Sequence, residues 1–542
     1  MTTMDMLAIA RERQLDWLLD EVLGGGTAAR RAAHPWLAAA IVLLGLAAAI
    51  GTALLRRDGA AEPAPLQEPP ANEWHECHGP QGVAAVPDDV VQLRCFDFDD
   101  DAIAALARCQ RLTHLDLSGM DVNEKGYSVS LKITDRGVEH LGQLTSLRWL
   151  SLAQCHEMKG EGLAALEALP LLEHLDLTYS GVESPAVERL ARLPSLRSLS
   201  LSHCMDFHGR SLAEVAKIPG LQRLELRACT TVAAADALHL TRLTHLRHLD
   251  LRDCQGRFRG QRGDFFMGGA GRGDVPPPPV EDGVGITDAV VAAFAGAKLE
   301  TLLLGGSESL TDAIGPVLAG MTTLRMLDLS ALPRTTDALL PQLPGGLTSL
   351  RLDRNPQFTL AGLRRLPALP GLRELGLAAM AELGDDGVAA LLADRRLERF
   401  AFGGTREAGK DGEVVRRPIT ESIAAAIAAQ PDLRHLELRH AELDRRAAAR
   451  LAALPRLETL DLTSSSLAAG AIAEFAAAPA LRELDLTWAK GLAVADVARA
   501  APQLRQLQLY GTELDQRAVQ DGLAQRHGLV VTLPQGQRHR VP

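Results

Sequence analysis

The chain has 542 residues and a net charge of −11, without the clustered Lys and Arg that build phosphate affinity, which excludes a nucleic-acid binder and mildly favours a basic partner surface. Apolar residues make up 46% and aromatics only 4%, so the core has to be built from Leu, Ala and Val in thin layers. Length alone suggests several domains, a prior that a repeat array overrides.

Taken in chain order, residues 1–35 form a tail in which Leu15, Leu18, Leu19 and Val22 follow the spacing of one apolar helical stripe. Residues 36–55, "WLAAAIVLLGLAAAIGTALL", run without a charge between Arg30 and Arg31 on one side and Arg56 and Arg57 on the other. Twenty residues at ~1.5 Å each match the ~30 Å hydrocarbon core of a bilayer, so the run reads as a membrane helix. A cleaved signal peptide fits less well, because the preceding tail is long and carries acidic side chains. Arg11 and Arg13 tip the balance of flanking charge and place the tail inside, the rest of the chain outside the cytoplasm. The Pro- and Ala-rich stretch at 56–73 reads as a semi-rigid linker, and 74–111 as a cap on the array that occupies the rest of the chain.

From 112 to 535 the pattern LxxLxL returns fifteen times, first at Leu112 and last at Leu504, and eleven of the fourteen spacings are 23 to 25 residues. Alternation predicts one short strand per copy, with the first, fourth and sixth residues in the core and the third and fifth facing out. Strands recurring in one direction are parallel and need a crossover. Segments such as "GEGLAALEALP" and "DRRAAARLAALP" supply it as helices. Thr134, Thr287, Thr311, Thr336 and Thr420, each before an acidic residue, mark helix starts, and a Pro two residues ahead of many leading leucines, as at Pro170 and Pro194, marks helix ends. Three repeats carry inserts near 121–132, 256–285 and 405–418, each between strand and helix and so on one edge. A C-terminal tail, 536–542, closes the chain.

These copies, with "ITDRGVEHL", "ITDAVVAAF" and Cys155, Cys204, Cys229 and Cys254 at the ninth position, resemble the leucine-rich repeats of the ribonuclease-inhibitor and F-box cysteine-containing classes, here in a bacterial-type, membrane-anchored arrangement. The resemblance implies an α/β, right-handed solenoid, a horseshoe with parallel strands on the concave face and helices on the convex face. It also implies protein binding. Only four of the fifteen repeats keep the cysteine and no F-box precedes them.

The search for chemistry returns little. His75, Cys77, His78 and Cys95 have the wrong spacing for structural zinc, and no GxSxG elbow, phosphate loop or HExxH helix is present, so the reading is no enzyme, no metal, no cofactor and no small-molecule substrate. A Cys77 to Cys95 disulfide would staple the cap in an oxidising compartment. What remains is the surface. The fifth strand residue is acidic at Asp116, Asp176, Glu225, Asp250, Asp328, Glu437, Asp461 and Asp485, with His174 and His248 among the residues two places earlier. Stacked at about 4.8 Å, these carboxylates form either a solvated face with local pairing or an acidic groove for a protein partner. The sequence thus reads as a single-pass, membrane-anchored scaffold binding a protein outside the cytoplasm; the alternative is a cytoplasm-facing, F-box-like adaptor that recruits a client to the membrane.

Overall fold

The computed structural model describes residues 74–119, 132–229, 232–254, 285–380, 383–393, 395–406, 414–500 and 502–541. The tail, the apolar run at 36–55, the linker and most of each insert lie outside the described residues. Among the described residues no helix is long and apolar enough to cross a membrane.

Among the described residues nineteen strands form one sheet. In chain order they begin β1 (His75–His78), β2 (Gln92–Phe96), β3 (His114–Gly119), β4 (Trp149–Ser151), β5 (His174–Asp176), β6 (Ser198–Ser200), β7 (Arg223–Glu225), β8 (His248–Asp250), β9 (Thr301–Leu303), β10 (Met326–Asp328), β11 (Ser349–Arg351), β12 (Glu374–Gly376) and β13 (Arg399–Ala401). The ladder continues through His435–Glu437, Thr459–Asp461, Glu483–Asp485, Gln506–Gln508 and Val530–Thr532. Each strand pairs in parallel with the next, fourth leucine beside fourth leucine, as in Leu175 with Leu199 and Leu199 with Leu224. The leading, fourth and sixth leucines make the core: Leu196, Leu199 and Leu201 are at most 1% exposed. The strand register expected from alternation therefore holds.

Two devices beyond the leucines join repeat to repeat. After the sixth residue the chain turns through a left-handed residue, with φ of 58°, 59° and 57° at Tyr179, His203 and Ala228. That conformation costs a non-glycine residue about 1 kcal/mol, and here it aims the N–H at the next repeat: Tyr179 donates to the Ser202 carbonyl at 2.9 Å and His203 to that of Arg227 at 2.8 Å. The ninth residue then donates backwards. The Sγ of Cys204, Cys229 and Cys254 meets the sixth-leucine carbonyl of the repeat before, Leu177, Leu201 and Leu226, at 3.0, 3.2 and 3.0 Å. Asn355 and Ser465 do the same to Leu329 and Leu438 at 2.8 and 2.9 Å. In these five repeats a small donor, not a thiol as such, makes the bond.

The crossovers are helical but short, many of them 3-10 turns, and the longest α-helices, such as Glu421–Ala428 and Arg445–Ala452, have eight residues. Strand and turns leave a repeat no room for more. The expected threonine caps form at Thr134, Thr311 and Thr420, while Thr287 makes no side-chain cap bond. The acid after each threonine does something the sequence did not announce: it reaches the next repeat. Asp288 accepts from Thr311 N and Oγ1 at 2.9 and 2.6 Å, and Asp312 from Thr336 N and Oγ1 at 2.7 and 2.6 Å.

The ends of the ladder differ from expectation. The cap contains a repeat in disguise, with Val90, Leu93 and Cys95 in the first, fourth and sixth places and Asp97 in the left-handed turn at φ 54°. Cys77 stands opposite Cys95 across β1 and β2, and both are buried free thiols in this structure. At the other end Arg538–Arg540, in the expected tail, pairs antiparallel with Val530–Thr532 and covers the edge that the last parallel strand would leave open.

Candidate functional site on the sheet face

All eight acidic residues singled out by the sequence lie in one row across the sheet, and His174 and His248 lie in the row beside it. They do not form a bare acidic groove. In an array this tight a fifth residue facing outward is still covered by its row neighbours and by the seventh residue of its own repeat. Asp250 and Asp328 are 3% and 5% exposed, and even Ser200 is only 4% exposed.

The aspartates have a local task. Oδ1 of Asp116, Asp176, Asp250, Asp328, Asp461 and Asp485 accepts the N–H of the residue two places on, at 2.8 to 3.0 Å. That bond closes the turn leaving each strand, and it satisfies a backbone donor that the sheet does not pair. The longer side chains of Glu225 and Glu437 pair with arginines instead, Glu225 with Arg223 at 2.7 Å and Glu437 with Arg351 at 3.2 Å.

Arginines in fact run through the row. Arg94 meets Asp116 at 2.9 Å, and Arg439 meets Asp461 at 2.5 Å. Arg252 grips Asp250 at 2.6 Å and extends toward Asp328, two strands away, at 3.7 Å. It can cross because β9 offers Leu303 in the row, followed by Gly305, where an added Cβ would come within 3.1 Å of Asp328. Arg351 likewise reaches Glu437 past Gly376 and Ala401 while holding Glu374 at 3.2 Å. Burial opposes the Arg252 charge, but the Asp250 hydrogen bonds and the Asp250 and Asp328 charges outweigh it and lift its pKa.

Where the two bridging arginines approach each other the face opens into a cavity of about 280 Å³ across β7 to β12. Of the residues expected to bind a partner, it gathers Glu225, His248, Asp250 and Asp328. Asp116, Asp176 and His174 lie toward one end of the ladder and Glu437, Asp461 and Asp485 toward the other, outside the cavity. Sequence reasoning missed its arginines, Arg223, Arg252 and Arg351, its carboxylate Glu374 and its apolar floor of Leu303 and Met326. The signal for Arg252 was present in "LDLRDC", as the residue directly after a sixth leucine.

Burial lowers the His248 pKa to about 4, with Arg223 adding to the effect, so the imidazole is neutral at pH 7. His174 is also brought to about 4 by burial first and Arg223 second; its Nδ1 lies 2.8 Å from the Ser198 hydroxyl and its ring stacks on Trp149 at 5.0 Å. Beside Gly376, burial raises Asp353 to about 6 against the opposing Ala378 N–H bond and Arg351 charge. No cluster of three or more His, Cys, Asp or Glu able to hold a metal occurs among the described residues.

A ladder of buried leucines, one strand and one crossover per repeat, is the fold of a leucine-rich repeat array, and the Leucine Rich repeat profile matches residues 242–255, which include β8, Asp250 and Arg252. No curated protein matches the chain significantly. Solved structures similar to it include an internalin from Listeria monocytogenes, at 15% identity over 76% of this chain and 83% of that one, TM-score 0.28. A leucine-rich repeat protein of Leptospira interrogans is similar at 16% identity over 86% of this chain and 93% of that one, TM-score 0.33. The yeast Rad7 and Elc1 complex is similar at 16% identity over 74% of this chain and 84% of that one, TM-score 0.42.

Proposed function

We propose that the chain is a non-enzymatic protein-binding module that meets a protein partner through the β7 to β12 stretch of its sheet face. The observation that carries this is the cavity itself, in which the regular row of paired charges is interrupted by an apolar floor. Surfaces of this make-up, an apolar centre rimmed by charge, suit protein partners. In this reading residues 36–55 anchor the chain in a membrane and the linker holds the repeats outside the cytoplasm, supported by the uncharged run and its flanking arginines.

The test is photocrosslinking in the native cell, with a photoreactive amino acid at Met326, on the cavity floor and 38% exposed, or at Arg446, exposed on a crossover helix. A discrete adduct from Met326 and none from Arg446 is expected. Adducts from neither, or from Arg446 alone, overturn the assignment of the face. Alkaline phosphatase fused after Pro542 reads topology: activity is expected, and an inactive fusion places the repeats in the cytoplasm.

A further inference from the structure

The chemistry of the cavity defines what the partner inserts there, an inference that rests on the sheet face being the binding surface. Four carboxylates, Glu225, Asp250, Asp328 and Glu374, face three guanidiniums, and His248 is neutral, so the lining carries an excess negative charge. The excess is localised. Asp250 is fully engaged, both oxygens accepting from Arg252. Asp328 is different: Oδ1 takes the Ser330 N–H, but Oδ2 has only Arg252 at 3.7 Å, beyond hydrogen-bond reach, although the side chain is 7% exposed. Glu374 uses Oε1 for Arg351 and leaves Oε2 without a partner among the described residues.

Between these two lies Ser349. It is 6% exposed, it lines the cavity, and its hydroxyl has no hydrogen-bond partner among the described residues. Register places it directly beside Met326 on one side and Glu374 on the other, with Asp328 two residues along from Met326. Two carboxylate oxygens and one hydroxyl, on three adjacent strands, are therefore open to the cavity and able to accept from a donor that enters it. The donor has to be cationic, to answer the charge, and has to arrive on an apolar stem, to cover Leu303 and Met326.

We propose that the cavity receives a lysine side chain of the partner protein, its ammonium held by Asp328, Ser349 and Glu374 and its methylenes lying on Leu303 and Met326. Lysine fits better than arginine. The flat, two-pronged position on Asp250 is already occupied by Arg252, and what remains is a small group of separate acceptors suited to a compact head with three donors.

The experiment uses the full chain in detergent and fluorescein-labelled, otherwise blocked pentapeptides with Lys, Arg, norleucine or Glu at the centre of a glycine frame. Fluorescence anisotropy should show the Lys peptide binding at least tenfold tighter than the norleucine and Glu peptides, and tighter than Arg. Ser349→Ala and Glu374→Gln should each weaken the Lys peptide about fivefold or more. Met326→Ala, on an exposed side chain whose loss leaves the core intact, should weaken Lys and norleucine alike. Preference for Glu or Arg, equal binding of norleucine, or indifference of the Lys peptide to both Glu374→Gln and Met326→Ala overturns the proposal. A chain that crosslinks from Met326 yet shows no Lys preference keeps the sheet-face reading and loses this one; a chain that does neither loses both.

Discussion

Asn355 offers the sharpest test of how the repeats are joined. It occupies the ninth position, where four earlier repeats use cysteine, and it is 1% exposed. Its Nδ2 donates to the carbonyls of Leu329 and Leu352 at 2.8 and 3.0 Å, and its Oδ1 accepts the Leu332 N–H at 2.7 Å. The last bond is needed because the preceding repeat has Leu332 itself in the ninth place, with no polar side chain to organise its turn. Asn355→Leu keeps the branched outline and deletes all three bonds. With an unsatisfied buried group costing about 1–3 kcal/mol and some relaxation of the turn, the loss should be about 3–6 kcal/mol. Asn355→Ser retains a donor for Leu329, as Ser465 has for Leu438, and should cost roughly half as much. Urea denaturation gives the ranking, and hydrogen exchange localises it, since the Leu332 amide should lose protection in both variants. If Asn355→Leu melts within about 1 kcal/mol of the parent, or is milder than Asn355→Ser, the ninth position is not a hydrogen-bonding joint, and the thiols of Cys204, Cys229 and Cys254 do not tie their repeats together either.

Three further outcomes are expected. Asp353 ionises at about 6 in the folded chain and near 4 unfolded, so its charge costs nothing below pH 4 and about 3 kcal/mol above pH 6; Asp353→Asn should gain on the parent by that amount between pH 4 and 7. The lowered histidines are common to both proteins and cancel, and a difference that does not change with pH would show that Asp353 is not desolvated. Arg252→Met leaves Asp250 and Asp328 buried without a counter-charge and should cost about 3 kcal/mol, much of it recovered by adding Asp250→Asn; equal melts for the single and double variants would refute the bridge. All seven cysteines are buried, and burial pushes Cys204 up to about 12 and Cys95 and Cys229 well above the ordinary thiol value. Iodoacetamide at pH 8 should therefore label none of them in minutes without denaturant, and rapid modification read by mass spectrometry would contradict the packing.

The amino-acid pattern alone determined the ladder. Leucines at the first, fourth and sixth places can be buried together only if each copy is a strand, and copies in one direction can pair only in parallel. The hidden repeat at Val90 escaped because Val and Cys stand where leucine was sought, though the alternation is intact. The row of acids was also legible, since one residue between two core leucines must face the sheet surface. Its meaning was not. Whether Asp250 is a ligand-binding charge or a turn brace depends on the N–H two residues on and on an arginine lying across the same row, and neither distance is contained in a linear pattern. Arg351 and Glu437 are 86 residues apart and meet only because Gly376 and Ala401 are small and the strands between them stack in register. The cavity, too, exists only where neighbouring repeats happen to place Leu303 beside Asp328 and Met326 beside Ser349. Local periodicity fixes which side of a strand a residue faces, but the charges and space around it come from strands whose sequence separation carries no signal of contact.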